Sequence, residues 1–377
     1  MRPLVAMTCS GFCGYAALLA VAPLWAVHGG AGTGGAGLVN GVLLAFTVLT
    51  QLLVPAALRR FGWGPVLIAG MALLGAPSAL YAVSDALAPV LAISAVRGVG
   101  FGVLTVTGSS AVAALVGAER RGDAIGIYGL AIALPNLLLL PAGPWVAQHV
   151  GFWVVFCVSA VPVLGIPAAR RLAEALPGRP PEPARAATGA PVFATLVPLL
   201  RPTLLLLTVT MAGGAAITFV PQMVSGSLLG ALGLLVMGLV AALSRWRAGR
   251  LADRYGTQRF LWPLAVLTAT SAALVAWSVA DPQATRAGVF LAAAAMLGLA
   301  YGALQNLTLV VAFAVVSRRH HNLASSVWNI GFDGGTALGA VAVGVIAQQT
   351  SFTTAFLVVA GLAVLVLPAA VVRGHRP

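Results

Sequence analysis

Residues 59–62 read RRFG and residues 253–256 read DRYG, so a charged pair followed by an aromatic residue and a glycine recurs after 194 residues. A second motif, the arginine pair at 120–121, recurs at 318–319 after 198 residues. All four motifs stand between long apolar runs. Two copies of one arrangement indicate that the two halves of the chain are structural repeats.

The composition of the chain places both repeats in a membrane. Of its 377 residues, 60% are hydrophobic and 8% are charged, whereas soluble domains average about 25% charged residues. A helix needs about 20 apolar residues to cross a bilayer. The apolar runs predict an all-α polytopic protein with twelve spans, at residues 4–27, 38–58, 64–84, 88–116, 124–147, 151–169, 203–222, 226–244, 260–280, 287–316, 322–347 and 352–372.

The basic residues give the expected orientation of these spans. All 21 are arginines, and the net charge is +13. Nineteen of the 21 lie at the two chain ends or in the connections after even-numbered spans. Because basic flanks of membrane helices stay in the cytoplasm, we expect both termini to be cytoplasmic. This placement explains the net positive charge, so binding to nucleic acid is not needed to account for it. The expected surrounding of the protein is the lipid bilayer.

The longest polar stretch divides the chain in two. Residues 170–202 are rich in Pro, Arg and Glu, a composition that predicts a flexible cytoplasmic linker. It separates a six-helix bundle at 1–169 from a second at 203–377. Two parallel six-helix repeats are an arrangement used for alternating access, with substrate bound between the halves.

The stretch 249–256, GRLADRYG, resembles the loop signature of the major facilitator superfamily, and the resemblance extends over essentially the whole chain. It implies a transporter whose cytoplasmic side is closed partly by this loop. The loop residues that match the signature or accompany it are Gly249, Arg250, Asp253, Arg254 and Gly256.

The resemblance also implies partners for the loop. Asp253 would meet the cytoplasmic start of the fifth span, where helix N–H groups attract a carboxylate. The loop arginines would pair with nearby groups such as Glu119 and Asp123. The corresponding loop of the first half departs from the signature, since Pro55 replaces the glycine and Arg59 replaces the aspartate. We therefore expect the cytoplasmic gate to depend mainly on Asp253.

Arg97 lies within the fourth span and weakly resembles the arginine of the family's fourth-helix signature. It stands about nine residues, or roughly 13 Å, inside the span. A central arginine costs about 2.5–3.5 kcal/mol on insertion scales. Two interpretations follow: Arg97 faces a cavity or a partner and serves transport, or its long side chain reaches the outer surface.

Asp333 is the carboxylate that lies clearly inside a span, about eleven residues into the eleventh. Asn329 precedes it by one turn and shares its helix face, so a hydrogen bond between them is expected. Burial disfavours a charged carboxylate, which suits reversible protonation during transport. The alternative is a purely structural hydrogen bond between helices.

Further polar residues in the spans are candidates for substrate contact. Gln305 and Asn306 lie in the tenth span, Asn136 in the fifth and Tyr15 in the first. The resemblance implies that the first, fourth, seventh and tenth spans line the substrate cavity. Gln305, Asn306 and Tyr15 are therefore the better-placed candidates.

We expect a secondary transporter that exports a lipophilic or drug-like compound against proton entry, because so few charges line the spans. The alternative is uptake or facilitated movement of a small polar nutrient. A polytopic membrane enzyme is disfavoured, since the acids are scattered and the histidines lie outside the spans. No metal or cofactor is expected. The lysine-free, Arg- and Ala-rich composition favours the cytoplasmic membrane of a high-GC bacterium, and a monomer is expected.

Overall fold

The computed structural model describes residues 1–115, 121–176, 192–281, 283–317 and 320–371. Within these ranges the regular structure is helical and no strand occurs. Eleven segments of the described chain are long and apolar enough to cross a membrane, and Phe352–Leu365 is a shorter apolar helix. That helix and the short helix after it, Leu367–Val371, lie where the twelfth span is predicted. The expected all-α polytopic fold is confirmed.

The chain divides into two compact units, Met1–Ala187 and Thr188–Pro377. Pro77, Pro162 and Pro167 stand in the first turns of segments that interrupt the third and sixth spans. A proline in a first turn removes no helical hydrogen bond. The helices of the first unit are α1 (Arg2–Leu19), α2 (Val21–His28), α3 (Thr33–Phe61), α4 (Trp63–Gly75), α5 (Leu87–Leu115), α6 (Arg121–His149), α7 (Phe152–Ser159) and α8 (Ile166–Ala175), with 3₁₀ segments at Ala76–Val83 and Val161–Gly165.

The second unit contains longer uninterrupted helices. They are α9 (Val192–Met223), α10 (Ser227–Tyr255), α11 (Gln258–Ser278), α12 (Ala287–Ala314), α13 (His321–Gln349), α14 (Phe352–Leu365) and α15 (Leu367–Val371). Its apolar core gathers side chains of α9, α10, α11 and α12, including Val209, Leu261 and Leu304.

Two predicted boundaries differ from the observed helices. The predicted linker at 170–202 overlaps α8, which ends at Ala175, and α9, which begins at Val192. The eighth span, predicted to end at residue 244, continues as α10 to Tyr255. The arginines beyond residue 244 alternate with Trp, Ala and Leu, which are compatible with a helix. Basic residues therefore marked the polar end of the span but not the end of the helix.

Glycines bring α3 and α5 into close contact in the first unit. A Cβ atom added at Gly98 would overlap the carbonyl oxygen of Leu43, and one added at Gly102 would lie 2.7 Å from the carbonyl oxygen of Thr47. The two glycines are four residues apart and share one helix face. Small residues at this spacing let membrane helices approach backbone to backbone.

The contact between α10 and α12 has the same construction in the second unit. Cβ atoms added at Gly298 and Gly302 would overlap the carbonyl oxygens of Met237 and Ala241. Each α10 residue follows its α3 counterpart by 194 positions, and each α12 glycine follows its α5 counterpart by 200. The internal repeat that the motifs indicate thus extends to the packing of these helix pairs.

The two RRFG-type motifs end equivalent helices. Gly62 after α3 has φ +77°, and Gly256 after α10 has φ +84°, a conformation that side-chain-bearing residues rarely adopt. Their N–H groups donate to the carbonyl oxygens of Leu58, at 2.9 Å, and Ala252, at 2.8 Å. Both glycines therefore terminate a helix, which explains their place in the repeated pattern.

Candidate functional site

Asp333 lies in the interior of α13 and is 5% exposed. It is the one buried acid among the acidic side chains that the structure describes. Close by, α13 approaches α9, since a Cβ atom at Gly335 would lie 2.7 Å from the carbonyl oxygen of Leu207. Asn329 donates from Nδ2 to the carbonyl oxygen of Ser325 at 2.9 Å, one turn back along its own helix. The sequence predicts Asp333 as the partner of this amide, whereas the structure shows the amide bonded to its own helix.

Tyr301 on α12 lies within electrostatic range of Arg245 on α10 and of Asp333 on α13. The charges of Arg245 and Asp333 both act on the Tyr301 hydroxyl group. One turn further along α12, Gln305 is 4% exposed. Its Oε1 atom accepts a hydrogen bond from Nη1 of Arg245 at 3.0 Å. Opposite charges, a phenol and an amide are thereby gathered from α10, α12 and α13.

Asn306 contacts the backbone of α10 next to these side chains. Its Nδ2 atom donates to the carbonyl oxygen of Arg245 at 3.0 Å. A Cβ atom at Gly249 would lie 3.4 Å from the Asn306 amide, an ordinary van der Waals distance. The adjacent residues Gln305 and Asn306 therefore hold the side chain and the main chain of one arginine.

A row of aromatic rings borders this group. The Phe332 ring, next to Asp333, has its centroid 6.2 Å from that of Tyr301 and 5.6 Å from that of Trp328. The indole Nε1 of Trp328 donates to Thr308 Oγ1 at 3.1 Å. This hydrogen bond fixes the row to α12. We name the side chains of Arg245, Tyr301, Gln305 and Asp333 the polar group of unit 2. The aromatic row therefore places an apolar surface beside this polar group.

Arg97 is fully buried in the first unit. Its Nε atom donates to the carbonyl oxygen of Leu74 at 3.1 Å, and Nη2 donates to that of Gly14 at 2.7 Å. The guanidinium carbon lies 5.9 Å from the centroid of the Tyr81 ring. This burial excludes the interpretation that Arg97 reaches the outer surface. The side chain instead ties α1, α4 and α5 together through neutral partners.

Tyr15 and Asn136 belong to the first unit. The Tyr15 ring stacks on Phe101, with centroids 3.7 Å apart, and meets the Phe12 ring edge-on at 6.1 Å. Asn136 donates from Nδ2 to the carbonyl oxygen of Ile132 at 2.8 Å, within its own helix. These contacts are all local to the first unit.

The residues of the predicted gating loop form the last turns of α10. Arg250 lies over the Trp246 ring at 4.3 Å, and Arg254 lies over the Tyr255 ring at 5.3 Å. Asp253 is exposed. The expected partners Glu119 and Asp123 lie outside the residues whose side chains are described. Within the described part of α10, the loop arginines are therefore held by aromatic rings.

The family model of the Major Facilitator Superfamily matches residues 4–285 and 224–377. The chain belongs to the Major Facilitator Superfamily. A curated relative, an uncharacterized MFS-type transporter of Mycobacterium tuberculosis, is 31% identical over 140 residues, which are 37% of this chain. The match covers 24% of that relative's own length.

Solved structures of other transporters share the MFS fold of this chain. A bacterial homolog of the human lysosomal transporter Spinster, inward-facing and unoccupied, has a TM-score of 0.74 at 14% identity, covering 98% of this chain and 95% of that one. The peptide transporter POT in complex with sulfate has a TM-score of 0.78 at 14% identity, covering 98% and 93%. The nucleoside transporter NupG has a TM-score of 0.71 at 13% identity, covering 98% of each chain.

Two members of the polar group, Arg245 and Tyr301, had no place among the predicted site residues of this MFS protein. The predicted eighth span ends at residue 244, so Arg245 falls in the predicted cytoplasmic connection that follows it. The spacing of Tyr301 and Gln305, four residues apart on one helix face, is a signal that points to Tyr301. Among the described residues, no group of three or more His, Cys, Asp or Glu side chains is arranged to hold a metal ion.

Proposed function

We propose that this superfamily member is a secondary active transporter that exports a small lipophilic or drug-like compound in exchange for protons. The bundles at 1–169 and 203–377, joined by the 170–202 linker, would expose the substrate alternately to the two sides of the membrane. The Gly249–Gly256 motif would help to close the cytoplasmic side. The protein would act as a monomer in the cytoplasmic membrane of a bacterium.

The observation that carries proton coupling is the burial of Asp333 in a membrane-spanning helix. A carboxylate in an apolar environment is costly when charged and is readily carried as the neutral acid. Asp333 is only 5% exposed, and its charge acts on the hydroxyl group of Tyr301. Proton uptake at Asp333 would change this interaction. Protonation would thereby be linked to the residues that surround Arg245.

The direction of transport is tested in cells. Metabolites would be compared inside the cells and in the medium for wild type, Asp333→Asn and Asp281→Asn at matched protein levels. Asp281→Asn is the matched control, because it removes the same charge from an exposed connection. We expect a compound that is depleted inside and enriched outside with wild type and Asp281→Asn. Accumulation inside the cells would instead establish uptake.

Coupling is tested with the compound so identified, in proteoliposomes. We expect Asp333→Asn to abolish transport driven by a proton gradient but to retain exchange of labelled for unlabelled compound, since exchange requires no net proton movement. Gradient-driven transport at the wild-type rate in Asp333→Asn would refute the role of Asp333. Loss of both activities with a wild-type melting temperature would assign Asp333 to substrate binding instead.

A further inference from the structure

Arg245 lies within helix α10, one residue beyond the predicted end of the eighth span. It stands 18 residues after Ser227 and 10 before Tyr255, so it is roughly 15 Å from the nearer helix end at 1.5 Å per residue. The apolar run of α10 ends at residue 244, and the helix continues beyond it with charged residues. The other arginines of α10 lie closer to its end.

The guanidinium of Arg245 retains free hydrogen-bonding capacity. It carries five N–H donors, and the described residues supply one acceptor for them, Oε1 of Gln305. No described carboxylate lies within 4.0 Å of its nitrogen atoms, and the side chain is exposed. The remaining donors are therefore available to a ligand.

The internal repeat shows that packing alone does not require this charge. The position 194 residues before Arg245 is Gln51 on α3, and the position 200 residues before Gln305 is Thr105 on α5. Gln51 Nε2 donates to Thr105 Oγ1 at 3.2 Å. In the first unit, the equivalent contact between α3 and α5 is thus made by neutral residues. Packing of α10 against α12 therefore does not account for the charge of Arg245.

We infer that Arg245 and Gln305 bind an anionic group, a carboxylate, of the transported compound. This inference rests on the transport function proposed above and specifies its substrate as a monoanion with an apolar body. The planar guanidinium matches a carboxylate with two parallel N–H···O bonds. The neighbouring rings of Tyr301, Phe332 and Trp328 would pack against the apolar body.

The test measures binding with matched charged and neutral probes. Purified protein in phosphatidylcholine nanodiscs would be titrated with benzoate and phenylacetate, and separately with benzamide and phenylacetamide, while its Tm is followed. We expect the carboxylates to raise the Tm of the wild type and the amides to leave it unchanged. Binding to Arg245→Gln should be weakened about tenfold or more, because charge-assisted hydrogen bonds are lost.

Two further variants control this measurement. Arg247→Gln removes the same charge two residues along α10 and should retain wild-type affinity. The double variant R245Q/Q305T installs in unit 2 the neutral pair found in unit 1, so it should fold and fail to bind the carboxylates. It separates loss of binding from loss of packing if Arg245→Gln alone unfolds.

The inference is overturned by any of three results: carboxylates and amides act alike, Arg245→Gln binds like wild type, or no carboxylate raises the wild-type Tm. Stabilisation by phosphatidylglycerol that depends on Arg245, without stabilisation by free carboxylates, would assign the site to a lipid headgroup and also overturn it. The coupling test on Asp333 uses another variant and another readout. Failure of the anion site is therefore distinguishable from failure of proton-coupled transport.

Discussion

Arg97 in α5 and Arg245 in α10 both lie within helices, and their surroundings differ in kind. Arg97 is fully enclosed, and two backbone carbonyl oxygens and an aromatic ring satisfy it. Arg245 is exposed and bonds a single side chain, that of Gln305. The first environment is typical of a structural tie between helices. The second leaves donors for a ligand.

Replacement of Arg97 should therefore lower stability before it affects transport. We expect Arg97→Met to destabilise the protein by about 1–3 kcal/mol, because charge-assisted hydrogen bonds to α1 and α4 are lost within the membrane. Thermal unfolding in detergent would measure the change. Arg59→Met, at an exposed position on α3, removes the same charge and should be neutral. A wild-type Tm with abolished transport in Arg97→Met would instead place Arg97 in the transport pathway.

At the level of helix pairs, close glycine contacts position Arg245 against Gln305. The backbone of α12 meets that of α10 at Gly298 and Gly302, one turn before Gln305. Alanine at Gly302 would overlap the carbonyl oxygen of Ala241 and force the helices apart. The hydrogen bond between Arg245 and Gln305 depends on that separation.

Two alanine substitutions in the same helix test this contact. Gly302→Ala should cost about 1–3 kcal/mol through overpacking and weaken carboxylate binding at Arg245. Gly288→Ala, where nothing lies within 4 Å of the added Cβ, should be neutral or stabilise α12 by about 0.5–1 kcal/mol, since alanine is the better helix former. Melting temperatures of the two purified variants provide the comparison. Equal melting temperatures would mean that the α10–α12 contact tolerates a wider spacing.

For the whole molecule, the distribution of arginines predicts which connections face the cytoplasm. In a background with Cys9, Cys13 and Cys157 replaced by Ser, single cysteines would be placed at Ala284 and Thr257. We expect a membrane-impermeant maleimide to label Ala284→Cys in intact cells and Thr257→Cys only after permeabilisation, because arginine-rich connections remain inside. The reverse pattern would invert the proposed orientation.

Hydropathy and repeated motifs were sufficient to predict the helical fold, because membrane helices are long and their apolar runs are distinct. Half of the polar group, Arg245 and Tyr301, was harder to predict. The pairing of Arg245 with Gln305 depends on the register between α10 and α12, since the two residues are 60 positions apart in sequence. Asn329 bonds its own helix instead of the expected Asp333, since a carbonyl oxygen one turn back is always within reach.

The glycine contacts also have a genetic consequence. Every single-nucleotide missense change of a glycine codon adds at least a Cβ atom. At Gly98, Gly102, Gly298 and Gly302, the first atom of that side chain would meet the backbone of the neighbouring helix. Lipid-facing leucines and valines, in contrast, can mutate to residues of similar size. Missense alleles at these four glycines should accordingly be over-represented among the loss-of-function mutants of a random library.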